Sequence, residues 1–352
     1  MSRLLIPLLA AVIAAAATAG LAIAGRADDD QDRGGGRSSS YALGVWGDVP
    51  YSPEQTTSGV PNLIADMNRQ KLAFTVHDGD IKAGGDRCDQ PVYDQFEAYL
   101  NSLKAPALYT PGDNEWTDCD RPAAGAYDSE ERLGLIRATF FDRPVSFGQR
   151  RLRVQQQEAP YVENLRWRAG RVVYATLHVV GSDNNLGDVA PDPVEFAGRD
   201  AATGEWLRET FAIARRAEAA GVLLVIQANP GFDASDPTRA PVRDPRTLLN
   251  ANGQPDGFTN FLRLLREETI AFGKSVVLVH GDSHYLRIDK PFQDEQGRRL
   301  ENFTRLETPG DNAQNGNNDV HWVKVLVDPR EREVFSFLPQ TVPGNRVAVP
   351  AP

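Results

Sequence analysis

From Tyr41 to about Leu338 the chain alternates short apolar runs with stretches whose apolar residues recur at helical spacing. The runs Tyr41–Trp46, Ala73–Val76, Ala107–Tyr109, Val172–Leu177, Val222–Ile226 and Val276–Val279 are nearly continuous, which predicts strands covered on both faces. Between them Val60, Leu63, Ile64 and Met67, then Leu207, Phe211 and Ala214, then Phe258, Phe261, Leu262 and Leu265 fall three or four apart and predict helices that cover a sheet. Near the end Phe303–Glu307, Val320–Val327 and Glu333–Leu338 follow one another with turns and no helix, which predicts antiparallel strands. The pattern as a whole predicts an α/β sandwich with at least one sheet of mixed direction and helices outside. The stretches Asp120–Tyr127, Asp188–Arg199 and Gly231–Asp256 carry no periodicity and read as long loops, one of them a candidate lid.

The two ends stand apart from this body, residues 41–340. Residues 1–24 join Arg3 to an apolar run, Leu4–Ala24, with a small-residue ending, which reads as a signal peptide or, uncut, as an N-terminal membrane anchor. Residues 25–40 are Arg, Asp, Gly and Ser and read as a linker, and 341–352 as a loose tail. These features place the body outside the cytoplasm, periplasmic or secreted, with a possible tether to the membrane. The formal net charge of -10, with no block of Lys or Arg, argues against a nucleic-acid duplex as partner and favours a small substrate. Cys88 and Cys119 are the two cysteines; two thiols do not complete a structural zinc site, and a disulfide is the better reading in an oxidising compartment. Closing that loop stabilises a fold by about 3 to 4 kcal/mol in the chain-entropy model.

The chemistry gathers where the apolar runs end, the edge at which open α/β sheets bind ligands. Asp48, Asp80, Asp113 and Asp282 each follow a run and each follows a glycine directly, while Gln227 and His284 take similar places. One such Asp is ordinary turn chemistry. Four converging on one edge repel one another unless a cation neutralises them. A set of oxygens with one imidazole suits Mn, Mg or Ca better than Zn, with Fe possible. The pentapeptide TPGDN occurs twice, at Thr110–Asn114 and Thr308–Asn312; the second copy lies in a Gly- and Asn-rich loop and reads as turn chemistry without a catalytic role.

The ordered blocks GDVPY at Gly47–Tyr51, HDGD at His77–Asp80, PGDNEW at Pro111–Trp116, QANP at Gln227–Pro230 and HGDSH at His280–His284 resemble the five blocks of the calcineurin-like metallophosphoesterases. The resemblance implies an αββα sandwich, one or two divalent ions and hydrolysis of phosphoric esters, monoesters or diesters. It implies Asp48, Asp80 and His284 as ligands of a first ion, Asp80 bridging to a second, and Asp113, Gln227 and Asp282 as oxygen ligands where the family has an Asn and two His. Pro50 replaces a family His and supplies no ligand atom. Asn114 replaces the family's transition-state His; it can contact a phosphoryl group but cannot act as an acid. His280, or His77, is the candidate to orient a ligand or serve as acid in its place, whereas His178 and His321 read as sheet positions. Tyr51 and Trp116 read as lining the pocket or packing beneath it, with packing the better reading. The disulfide would fix the Asp80 and Asn114 loops against each other. Two functions follow as expectations: a metal-dependent phosphoric ester hydrolase of the cell envelope, or a binding module that keeps the sandwich without the reaction.

Overall fold

The computed structural model describes residues 40–232, 240–311 and 320–345. The chain divides after Arg37 into two units, and the described residues all belong to the second. The N-terminal segment 1–24, nearly all of the linker and most of the tail lie outside the described residues. Among those described, no helix is long and apolar enough to cross a membrane.

Two sheets face each other. The first sets β1 (Tyr41–Trp46) parallel to β2 (Thr75–His77) and β2 parallel to β3 (Ala107–Tyr109). On the far side of β1 the antiparallel strands β11 (Trp322–Val327) and β12 (Phe335–Gln340) complete its five strands. The second sheet carries β4 (Gln155–Gln156), β5 (Leu165–Ala169), β6 (Val172–Thr176), β7 (Gly221–Val225), β8 (Ser275–His280), β10 (Phe303–Glu307) and β9 (Arg287–Asp289), in that spatial order. Its centre, β6, β7, β8 and β10, is parallel, and its outer strands run antiparallel.

Alternation along the central strands explains the layers. In β7 and β8, Leu223, Val225, Val277 and Val279 point into the space between the sheets, together with Val45 and Val325 of the first sheet. Val222, Leu224, Val276 and Leu278 point the other way, against Leu207 and Phe211 of α5 (Pro193–Arg216) and Phe261 and Leu265 of α6 (Thr259–Phe272). The first sheet is covered outside by α1 (Val60–Met67), whose Met67 lies against Gly44, and by α2 (Gln90–Ser102), whose Phe96 packs on Trp46 and His77. The following helix α3 (Ser129–Phe140) starts at Asp128, whose carboxylate accepts Glu131 N–H at 2.8 Å. Cys88 and Cys119 form the expected disulfide.

Two expectations change. The run Phe303–Glu307 does not join the two strands that follow it; β10 pairs parallel with β8, and the chain then crosses to the first sheet. The stretch Asp188–Arg199 is helical from Pro193, where Asp192 caps α5 through Val194 and Glu195 N–H.

Candidate metal centre

The parallel strands of both sheets deliver their carboxyl ends to one edge. Asp48 follows β1, Asp80 follows β2, Asp113 follows β3, Gln227 follows β7, Asp282 and His284 follow β8, and Thr308–Asp311 follows β10. The loops turn sharply enough that Asp48, Asp80, Asp282 and His284 all have positive φ, between 54° and 73°. Such conformations are uncommon away from glycine, and their clustering marks a place where the surroundings over-determine the backbone. Glycines admit the carboxylates: a Cβ at Gly112 would occupy the Asp80 carboxylate, and one at Gly281 that of Asp48.

Among the described residues, Asp80, Asp113 and Asp282 bring ligand oxygens within 4.8 Å of one another. Asp48 adjoins them, with its Oδ1 accepting Asp282 N–H at 2.9 Å and standing 3.9 Å from His284 Nε2. Burial, then the charges of Asp78, Asp282 and Glu307, push the Asp48 carboxyl well above the usual carboxylate range, against the Asp282 N–H. Burial, then Asp113, Glu115, Asp48 and Asp282, do the same to Asp80. Nearby, burial pushes Asp78 and Asp118 up to about 8. Lys82, itself buried and pulled down by that burial, spends its ammonium on the Ala83 carbonyl at 3.0 Å. Arg121 pairs with Asp118 and Asp188.

These residues fit a hard divalent cation. Asp48 Oδ2 and Asp113 Oδ1 are buried with no hydrogen-bond partner among the described residues, and the charges of Asp78, Asp282 and Glu307 all act against ionised Asp48. Carboxylate oxygens in that state are the donor set of Mg, Mn or Ca. The six expected residues all lie at this edge, but Gln227 gives its carbonyl oxygen to Gly181 N–H at 2.6 Å.

The remaining expectations fare differently. Asn114 gives its amide hydrogens inward, lying 2.8 Å from Asp80 Oδ2, 2.8 Å from Tyr51 Oη and 3.0 Å from the Lys82 carbonyl. It holds the Asp80 carboxylate in place. His280 is fully buried, its Nδ1 at 3.1 Å from the Gly281 carbonyl, so it does not present itself as an acid at the site. His77 lies in the aromatic core beside Trp46 and Phe96; burial pulls it down to about 3, and its Nδ1 accepts Gly79 N–H. It stays neutral and sets the Asp80 loop from below. Trp116 packs, as expected, but Tyr51 does not merely pack: its hydroxyl donates to Asp80 Oδ2 at 2.9 Å and its ring meets His284 edge-on at 5.1 Å.

Four contributors were not expected. Ser182 donates to Asp113 Oδ2 at 3.0 Å from the turn α4 (Gly181–Asn185), where Ser182, Asp183, Asn184 and Asn185 are all left-handed. Glu115 binds Gly112 N–H at 2.7 Å and Tyr109 hydroxyl at 2.6 Å, fixing the Asp113 loop. Gln55 accepts Tyr51 N–H and donates to Asp311 Oδ1, both at 2.5 Å. The second TPGDN copy is the fourth: Thr308 donates to Asp78 Oδ2 at 2.6 Å, Asp311 N–H to the Asp48 carbonyl at 3.1 Å, and Gly310 lies against Asp48 and His284. This copy was expected to have no catalytic role, and its contacts are with the loops that carry Asp78 and Asp48. The repetition was itself the signal, since Thr110 N–H bonds the His77 carbonyl at 3.1 Å and Thr308 N–H the His280 carbonyl at 2.9 Å.

No protein-family model matches the chain, and no curated protein matches its sequence. Among solved structures it is similar to a purple acid phosphatase from yellow lupin (Lupinus luteus) seeds, with a TM-score of 0.52 and 13% identity over 89% of this chain and 53% of that one. It thus spans about half the length of the lupin protein. GAP50, the anchor in the inner membrane complex of Plasmodium, gives a TM-score of 0.47 at 9% identity over 86% of this chain and 89% of that one. A phosphatase from Mycoplasma pneumoniae gives 0.39 at 10% identity over 87% and 96%. The lupin likeness shows the fold, and it is the metallophosphoesterase sandwich that the sequence blocks implied.

Proposed function

We propose that the chain is a metal-dependent hydrolase of phosphoric esters that acts outside the cytoplasm. The observation that carries this reading is the convergence of Asp80, Asp113 and Asp282 on one edge, with ligand oxygens within 4.8 Å of one another. Asp48, Asp80, Asp113, Asp282 and His284 would hold one or two divalent ions, Mn, Mg or Ca before Zn, with Fe also compatible. Such ions, when bound, stabilise charge on a phosphoryl group and activate water at neutral pH. The chain's own contribution is orientation: Tyr51 and Asn114 hold Asp80, Ser182 holds Asp113, and Asn229 N–H holds Asp282 Oδ2 at 3.0 Å.

With Asn114 committed to Asp80 and His280 buried, neither expected group is placed to protonate a departing alkoxide, so esters with good leaving groups should react fastest. The formed disulfide and the apolar N-terminal run support export, and the acidic balance supports a small phosphorylated substrate. The same lack of an acid at Asn114 and His280 favours a second reading, a sandwich that binds an ion and a phosphorylated ligand without turnover.

Hydrolysis of p-nitrophenyl phosphate and its bis ester by the full chain in Mn²⁺ separates the two. The expected result is turnover that falls about a hundredfold or more in Asp80→Asn. Bound Mn²⁺ without turnover selects the second reading. Turnover untouched by Asp80→Asn, or a chain that takes up no ion, sinks the first.

A further inference from the structure

Gln227 enters the centre the opposite way round from a ligand. Its side chain is fully buried, and its Oε1 accepts the Gly181 N–H. A backbone N–H can only donate, so it decides which atom of the amide faces it. Reversing the amide would set NH₂ against N–H and leave two buried donors unsatisfied.

Neither partner is free to move. Gly181 is pressed on the Asp113 carboxylate, close enough that a Cβ there would collide with it. The left-handed residues after it are anchored by Arg199, which donates to the Asn184 carbonyl at 3.0 Å, and by Gly257 N–H on Asp183 Oδ1 at 2.9 Å. The stem of Gln227 is wedged between the Asp80 and Asp113 loops, where a Cβ at Gly79 or Gly112 would come within 2.8 Å of it.

This leaves Gln227 Nε2 buried and without a hydrogen-bond partner among the described residues, as are Asp113 Oδ1 and Asp48 Oδ2. A cation answers the two oxygens. It does not answer an NH₂ group, which needs an acceptor.

Resting on the reading of the centre as a cation site for phosphoric esters, we propose that Gln227 is not a ligand of the ion but the donor that binds a phosphoryl oxygen of the anion held there. It is a specificity residue for the oxyanion, and its amide is set by Gly181.

Calorimetric titration tests this with the full chain: Mn²⁺ into metal-free protein, then inorganic phosphate into the Mn²⁺-loaded protein, for the parent, Gln227→Met and Gln227→Glu. Gln227→Met has nearly the same length and no donor. It should keep Mn²⁺ affinity within about threefold and lose about tenfold in phosphate affinity, the worth of one hydrogen bond to a charged oxygen. Gln227→Glu keeps an acceptor for Gly181 and turns a second oxygen inward, so it should bind Mn²⁺ about tenfold tighter and phosphate more weakly still. Melting of the metal-free variants reports whether they fold. A tenfold or greater loss of Mn²⁺ affinity in a folded Gln227→Met makes Gln227 a ligand and overturns the assignment. Phosphate affinity equal to the parent's overturns it as well. A parent that binds no Mn²⁺ overturns the cation reading, and this assignment falls with it.

Discussion

Two buried charged regions lie close together in this molecule and are built on opposite terms. In one, Glu163 accepts hydrogen bonds from Arg137 Nη2 and Nε at 2.6 and 2.8 Å and sits 2.8 Å from His178 Nδ1, while the neighbouring Arg199 forks onto Glu195 at 2.6 and 3.0 Å. Burial alone would push Glu163 up; the hydrogen bonds from His178 and Arg137 and the Arg137 charge outweigh it and hold the carboxyl at about 2. Burial pulls His178 down, against the hydrogen bond and charge of Glu163. In the other region, Asp48 and Asp80 are buried as deeply and meet mainly carboxylates and neutral donors, and they are pushed up. Burial has the same sign in both. The difference lies in whether the chain supplies the counter-charge, and where it does not, a proton or a bound cation has to neutralise the carboxylates.

The largest test breaks the balanced region. Arg199→Leu leaves Glu195 without its cation and removes the donors to the His178 and Asn184 carbonyls. It should cost about 3–5 kcal/mol in urea unfolding of the metal-free protein. A loss below about 1 kcal/mol would mean that water reaches Glu195 and that the pair is not a buried one.

A smaller effect comes from acid. Glu163 has a folded pKa of about 2 against 4.5 in the unfolded chain, so the unfolded state binds the proton first as pH falls. Its stabilisation is therefore fully present above the unfolded value and is lost as pH drops through the folded one. Between about pH 5 and pH 2 the parent should lose on the order of 3 kcal/mol more than Glu163→Gln. Parallel stability curves for the two proteins would remove Glu163 from the balanced set.

The sequence announced these two regions unequally. A glycine and an aspartate after an apolar run form a local signal, so Asp48, Asp80, Asp113 and Asp282 were legible, as were the strands Tyr41–Trp46 and Ala107–Tyr109. The sheet that a strand joins is not a local property, which is why Phe303–Glu307 was placed beside the wrong neighbours. Helices α2 and α3 were not anticipated, although their buried residues Tyr93, Phe96 and Tyr99, and Leu133, Ile136 and Phe140, fall three or four apart. Side-chain partners far apart in sequence were hidden as well. Gln55 meets Asp311 across 256 residues and Ser182 meets Asp113 across 69, and nothing local marks either pair. The orientation of Gln227 depends on Gly181, 46 residues earlier, so residue type alone suggested a ligand where geometry gives a donor. His280 shows the converse: it sits next to the motif in sequence, yet its side chain is sealed in the core.

The finest test acts on one charge of the unbalanced region while keeping its shape. In Asp113→Asn the amide oxygen can still accept the Ser182 hydroxyl, so the change removes charge and leaves that bond. Burial raises Asp113 in the folded protein, and its charge is among the causes that raise Asp80. Without a cation, relieving that repulsion should make the variant more stable than the parent at pH 7. With Mn²⁺ the order should reverse, because the parent gains RT ln(1 + [L]/Kd), about 2.7 kcal/mol at a hundredfold excess over Kd, and the variant gains less. The measurement is urea unfolding of both proteins with and without Mn²⁺. A variant that is less stable than the parent in both conditions would show that Asp113 is balanced by groups of the chain itself, and the two regions would then differ in degree and not in kind.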